Sequence, residues 1–297
     1  MALFALVLVK AKAKHVAGAA LGSSGASAPA RIRGGSGWGI KIVWLAEVLT
    51  SASVASRGRV RPRADRPLLS APGRIWAGTL LAGGTVLISV LGVLFAGQAQ
   101  ADRFDRAVDA PIISWLGGHQ HLALWFAAPG TLVPAVVLSA IIVVACVLTG
   151  RLNGAVLAAT AVPAAAGLND GLLKDLVHRT YLGALTYPSG HTATIFALAA
   201  TVGILLLAPG RPGRSGVLRA LIPVVACLLG GVVAVGVIGL RWHYFTDTVA
   251  GAALGIGTAC ALALLLDLPV VRRWLIRASR QPDAREPGRS DQVPAGG

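Results

Sequence analysis

Charge is scarce in this chain, and cysteine and aromatic residues are scarcer. Of 297 residues, only 13% are Asp, Glu, Lys or Arg, roughly half the ~25% of a typical soluble domain, which argues against an ordinary soluble protein. Carboxylates are the rarer sign, with 12 acidic residues against 27 basic ones and a formal charge of +15. A basic balance of that size can mark a nucleic-acid binder. Here the arginines fall mostly in the first 75 residues, the short loops and the C-terminal tail, which is how a positive-inside membrane protein distributes them. No nucleic-acid partner is therefore expected. Three cysteines, Cys146, Cys227 and Cys260, lie in apolar runs without CxxC or Cys/His spacing, which excludes a disulfide framework or a zinc site. His119 and His121 flank Gln120 but lack a third ligand. No metal and no cofactor are expected.

What the chain has in abundance is long apolar runs, with 55% hydrophobic residues. Six runs approach the ~20 residues needed to span a ~30 Å hydrocarbon core: about 75–97, 130–149, 153–173, 192–208, 217–240 and 248–268. Helix is the assignment for such runs in lipid, because every backbone N–H must find a partner within its own segment. The expected fold class is all-α, a polytopic membrane helix bundle of about six transmembrane helices over residues 75–268. Residues 1–74 and 269–297 read as basic, disordered cytoplasmic tails, with 38–48 as a short interfacial helix. The 98–129 connection carries Asp102, Asp105 and Asp109 beside Arg103 and Arg106, and its Trp115 and Trp125 suggest a piece lying at the interface. Counting loop cations puts both termini in the cytoplasm. Two polar islands then face outward, Lys174–His191 (KDLVHRTYLGALTYPSGH) and Arg241–Asp247 (RWHYFTD). Their cations break the positive-inside rule, which makes them candidates for function.

In the first island, Pro188 and Ser189 stand where a helix starts, with Ser189 as its N-cap. The N–H groups of Gly190 and His191 then lack partners, and a helix N-terminus of this kind attracts phosphate. The same residues also fit a merely capped helix with His191 at headgroup level. The second island spaces His243 and Asp247 at i, i+4. On a helix that sets a carboxylate one turn from an imidazole, close enough to fix its tautomer and aim the other nitrogen; it also fits a simple cap.

The combination of Pro188-Ser189-Gly190-His191 with His243-x-x-x-Asp247 about 50 residues later resembles the type-2 phosphatidic acid phosphatase superfamily, which includes integral membrane lipid phosphatases and related haloperoxidases. That family's site has three motifs: a Lys, six residues and Arg-Pro; then Pro-Ser-Gly-His; then an Arg, five residues, His, three residues and Asp. The second matches in full. The third keeps His243 and Asp247, but Val237 stands where the family has Arg. Arg241 lies four residues further on, the same helix face if the fifth helix continues. The first motif keeps Lys174, but Tyr181-Leu182 replaces Arg-Pro and Arg179 is the nearest cation. Arg179 lies about 140° round a helix from Lys174, so the two converge only if the helix ends between them. Lys174 also has Asp170 one turn back as a structural partner, and Arg241 can snorkel to headgroups.

The resemblance implies a metal-independent phosphatase acting on a lipid phosphate or diphosphate, such as phosphatidic acid, phosphatidylglycerol phosphate or a polyprenyl phosphate. By that resemblance His243 attacks phosphorus to form a phosphohistidine and Asp247 fixes its tautomer. His191 protonates the leaving alkoxide and then activates water. Lys174, Arg179, Ser189, Gly190 and Arg241 bind the phosphate oxygens. The setting is the cell membrane, with the bilayer and the lipid phosphate as partners and the site on the extracytoplasmic face. The competing expectation is a non-catalytic relative that binds or moves a polyprenyl phosphate lipid.

Overall fold

The computed structural model describes residues 67–209 and 216–280; the expected interfacial helix at 38–48 lies outside them. Nine helices and one small hairpin make up the described chain. They are α1 (Ala71–Phe95), α2 (Arg103–Leu116), α3 (Gln120–Ala127), α4 (Leu132–Leu148) and α5 (Leu152–Val177), followed by strands β1 (Thr180–Tyr181) and β2 (Ala184–Leu185). Then come α6 (Gly190–Leu207), α7 (Gly216–Gly239), α8 (Phe245–Leu266) and α9 (Pro269–Arg280). Helices α1, α5, α6, α7 and α8 are long and apolar enough to cross a membrane, and α3 with α4 makes a sixth candidate span bent by 41°. This all-α bundle is that of a multi-pass membrane protein, in agreement with the expected class. Large exposed apolar side chains such as Ile75, Val93, Val133, Leu148 and Val224 fit lipid-facing helix surfaces, since lipid solvates them as well as protein does.

α6 and α8 form the centre. Gly251 and Gly255 on α8 bring the two backbones together: a Cβ on Gly251 would run into Thr192 Oγ1 and the Ser189 carbonyl, and one on Gly255 into the Ala193 carbonyl. Small residues four apart allow this approach in membrane helices. The approach also joins the two polar islands, because α6 opens with the Pro-Ser-Gly-His turn and α8 follows directly on His243. Gly257, one of the small residues of the same run, meets nothing closer than Leu81 Cδ1 at 3.7 Å.

Two expectations need correction, and the 98–129 connection gains definition. The first helix begins at Ala71, capped by Ser70 Oγ accepting from Gly73 N at 3.2 Å. Just before it, the Leu68 and Leu69 N–H groups donate to the Asp267 carboxylate at 2.7 and 3.0 Å, so residues 67–74 are ordered onto the far end of α8 and are not tail. The second tail begins as helix α9, not as disordered chain. The 98–129 connection is mostly helical, as α2 and α3; its run of Asp residues supplies the N-cap, with Asp105 N donating to Asp102 Oδ1 at 2.6 Å.

Candidate active site

The two islands do meet. Ser189 N donates to the Asp247 backbone carbonyl at 2.9 Å, and the rings of His191 and His243 lie 6.1 Å apart between centroids. Trp242 stacks obliquely on His191 at 5.4 Å.

Ser189 sits at the N-cap position of α6 with extended backbone, but its hydroxyl caps nothing. The first backbone bond of the helix is Ala193 N to Ser189 O at 3.0 Å, so the N–H groups of Gly190, His191 and Thr192 lie ahead of it. Ser189 Oγ is fully buried without a hydrogen-bond partner, and so is Asn169 Oδ1. Such orphans are uncommon in native structures and need a reason. Asn169 belongs to a π-helical turn, Asn169–Leu173, near the end of α5, a distortion that often marks functional sites. This turn brings Asn169 Nδ2 against Gly190, 3.2 Å from where a Cβ would be. Asn169 Nδ2 also donates to Asp170 Oδ1 at 2.8 Å, and that same oxygen holds Lys174 Nζ at 3.0 Å. Lys174 is thus tied through Asp170 and Asn169 to the start of α6, with Asp170 as its resting counter-ion.

His243 is buried, and its Nδ1 is 2.9 Å from the Thr186 carbonyl. A carbonyl only accepts, so Nδ1 carries the proton and Nε2 keeps its lone pair. Burial first, then the electrostatic influence of His191 and Lys174, push the imidazole down to about 3 against the opposing pull of the Thr186 bond. His243 is therefore neutral at physiological pH with Nε2 available. The expectation that Asp247 fixes this tautomer needs correction. Asp247 Oδ2 stands 4.0 Å from His243 Nδ1, beyond hydrogen-bond range. That oxygen instead accepts from Tyr244 N at 3.1 Å, because the spacing of three that joins Tyr244 to Asp247 is the spacing of a helix cap.

Arg179 also stands elsewhere than expected. α5 ends at Val177, capped by His178 with φ +55°, so the helix does stop before Arg179. The turn carries the guanidinium away from Lys174 and into the protein. Its Nη1 donates to Asp247 Oδ1 and Thr246 Oγ1, each at 2.6 Å, and its Nη2 pairs with Asp105 Oδ2. The rings of Phe95 and Tyr244 cover it at 4.1 and 4.3 Å. With both its ion-pair partners fully buried, Arg179 is a strut behind His243 and offers no open cation beside Lys174.

Arg241 is exposed. α7 closes after Gly239 with Trp242 N donating to Val237 O and Arg241 N to Ile238 O, at 3.0 and 2.8 Å, and Arg241 takes φ +58°. This is a Schellman ending with Arg241 at the left-handed position usually held by glycine. The helix does not continue through it, so Arg241 shares no helix face with the buried Val237.

Sequence reading missed Asp105, Asp109, Asn169 and the Thr186 carbonyl. Asp105 Oδ1 accepts from Thr246 N at 2.9 Å and Asp109 Oδ1 from Phe245 N at 3.1 Å. Together with Asp247 on Tyr244 N, three carboxylates occupy the opening N–H groups of α8. Of the two helix starts in the site, only that of α6 is left for an anion. Asp105 and Asp109 lie i, i+4 in a carboxylate-poor chain, and that pattern was the available signal. Nothing local marks a backbone carbonyl such as that of Thr186.

The crowding of carboxylates has a titration consequence. Burial, then the charges of Asp105 and Asp247, outweigh the Phe245 N–H and Arg179 and raise Asp109 to about 7. A carboxyl group raised in the folded state contributes stability that is full below its unfolded value near 3.8 and is lost as pH rises through about 7. Between pH 5 and 8 the thermal midpoint of the wild type should therefore fall more steeply than that of Asp109→Asn. Parallel profiles in detergent would show that Asp109 is not the group responsible.

Among the described residues, no group of three or more His, Cys, Asp or Glu is arranged to hold a metal ion. Compared with known proteins, residues 155–268 match the model of the PAP2 superfamily, a family of phosphatases acting on phosphate esters. No curated protein and no solved structure matches the chain.

Proposed function

We propose that this chain, whose residues 155–268 belong to the PAP2 superfamily, hydrolyses a lipid phosphate or diphosphate through a phosphohistidine on His243. The observation that carries the reading is the pairing of a neutral, buried His243, its Nδ1 tied to the Thr186 carbonyl, with His191 at a ring separation of 6.1 Å. A phosphoryl group fits between two such rings. Its equatorial oxygens are met by the Gly190 and His191 N–H groups, the orphan Ser189 hydroxyl and Lys174, and that is where charge collects in phosphoryl transfer. The N-terminal dipole of α6 adds to this attraction.

In the first step His243 Nε2 forms a bond to phosphorus as the ester P–O bond breaks. Protonated His191 gives its proton to the departing alkoxide. The positive charge that develops on the His243 ring is met by the Thr186 carbonyl. In the second step neutral His191 takes a proton from water as its oxygen attacks phosphorus, and the N–P bond breaks to release inorganic phosphate and neutral His243. Asp247, Asp105 and Arg179 do not touch the reacting atoms in this scheme; they fix the start of α8 and so the position of His243. No step draws on a metal ion.

A lipid substrate is supported by the setting of the site at the ends of α5, α6 and α8, all candidate spans, where a headgroup can enter while its chains stay in the bilayer. The cation distribution of the loops supports cytoplasmic termini and an extracytoplasmic site in the cell membrane. One observation favours a second reading, a relative that binds a polyprenyl phosphate without cleaving it: with Arg179 buried and Lys174 held by Asp170, the cation set around the phosphate is thin.

The test is phosphate release by the purified chain in EDTA from a panel of phosphatidic acid, phosphatidylglycerol phosphate and polyprenyl mono- and diphosphates. Release from at least one is expected, and binding without release from any would favour the second reading. Arg241→Gly belongs in the same panel. Glycine suits the left-handed position, so the fold should be unchanged and any rise in KM reports the charge alone. If Arg241 meets the phosphate, about a ten-fold rise is expected, the scale of one charge-assisted hydrogen bond; unchanged kinetics would leave Lys174 as the cation that matters.

A further inference from the structure

The hairpin between the two halves of the first island has a tip that folding alone does not explain. Thr180 pairs with Leu185 and Tyr181 with Ala184, so Leu182 and Gly183 form a two-residue turn. Both have positive φ, +51° and +84°. Turns of this kind favour Asn-Gly or Asp-Gly, because both central residues must be left-handed. A leucine at the first position is strained, and this one is 87% exposed. At that exposure, packing within the protein offsets little of the strain.

Its location names an occupant. Leu182 is five residues beyond Val177, the last residue of a candidate span, and five residues reach at most about 18 Å when fully extended. The chain is far from extended, because Thr186 N closes back on Arg179 O at 3.0 Å. The tip therefore stays close to the boundary between hydrocarbon and headgroups. Leu176, at the end of the same span, is also exposed. The hairpin base carries the site: Arg179, the strut, and Thr186, whose carbonyl holds His243, lie at its two ends. Tyr181 packs edge-on against Tyr244, next to the nucleophile, at 4.6 Å.

We infer that the Leu182 tip inserts into the bilayer boundary beside the site and sets the height at which a lipid-borne phosphate meets His243. The inference rests on the phosphatase reading above for its kinetic arm only. A hairpin anchored in lipid at one end and bonded to the nucleophile at the other favours substrates embedded in the membrane and is indifferent to soluble ones.

Leu182→Asn suits the turn better than the native residue, so the fold is retained while the apolar tip is lost. In the full chain, release of phosphate from phosphatidic acid in phosphatidylcholine vesicles is expected to fall about ten-fold, the scale of one leucine side chain withdrawn from an apolar phase. Hydrolysis of water-soluble para-nitrophenyl phosphate should be unchanged. An equal change on both substrates, or none on either, overturns the proposal. Independently of activity, Leu182→Cys bearing an environment-sensitive fluorophore, with the exposed Cys227 replaced by Ala, should be quenched by lipid-borne spin labels. Quenching by aqueous iodide alone overturns it. If the wild type cleaves neither substrate, the phosphatase reading fails while the quenching measurement still decides the hairpin.

Discussion

His243→Ala is expected to lower phosphate release by about 10⁴-fold or more, since removing a nucleophile that works as part of a unit forfeits nearly all of the chemical acceleration. Expression and thermal midpoint should change little by comparison. The ring is held by one hydrogen bond, to the Thr186 carbonyl, so its loss removes a single polar contact. His191→Ala should cost less, within the roughly 10²–10⁴-fold range of a general acid–base group. The ordering discriminates between roles. If His191→Ala proved the more damaging and His243→Ala kept substantial activity, the nucleophile would have been assigned to the wrong ring.

Arg179→Leu should act on stability first. The guanidinium is fully buried between Asp105 and Asp247, and removing one partner of a buried ion pair leaves uncompensated charge at a cost of about 3–5 kcal/mol. Here two carboxylates lose their partner at once. Lysine is a poor substitute, because a single ammonium cannot fork between both carboxylates and stack flat between Phe95 and Tyr244. A large drop in thermal midpoint is therefore expected for both Arg179→Leu and Arg179→Lys. Adding Asp105→Asn to Arg179→Leu should recover part of it, as coupled residues do in a double-mutant cycle. A phosphate ligand would behave in the opposite way, with an unchanged midpoint and a raised KM, and that result would return Arg179 to the role its sequence position suggests.

The contrast between Arg179 and Ser189 shows what the sequence can carry. The Pro188–His191 turn is local: its residues set their own backbone, begin their own helix, and present N–H groups whose direction follows from helix geometry. The apolar runs are legible for a similar reason, since lipid forces each to satisfy its own backbone. Arg179 depends on partners 74 and 68 residues away, Asp105 and Asp247. No periodicity links them. Asp247 was legible as a neighbour of His243 at i, i+4, but spacing could not tell whether its oxygens would face the imidazole or the backbone of its own helix. The cap at Tyr244 N won because α8 begins only at Phe245, which leaves His243 outside the helix where the i, i+4 rule would have joined them. The same holds for Arg241, whose relation to Val237 required a helix that stops at Gly239.

The central claim is a covalent phosphoryl group on His243, and trapping it is the most direct measurement. The purified chain, mixed with ³²P-labelled phosphatidic acid in EDTA and quenched in alkali within milliseconds, should carry acid-labile, alkali-stable label. Mass spectrometry should assign it to the peptide containing His243, and it should be absent from His243→Ala and accumulate in His191→Ala if that variant still completes the first step. Rapid turnover with no trapped label, or label on His191 in place of His243, would contradict the account.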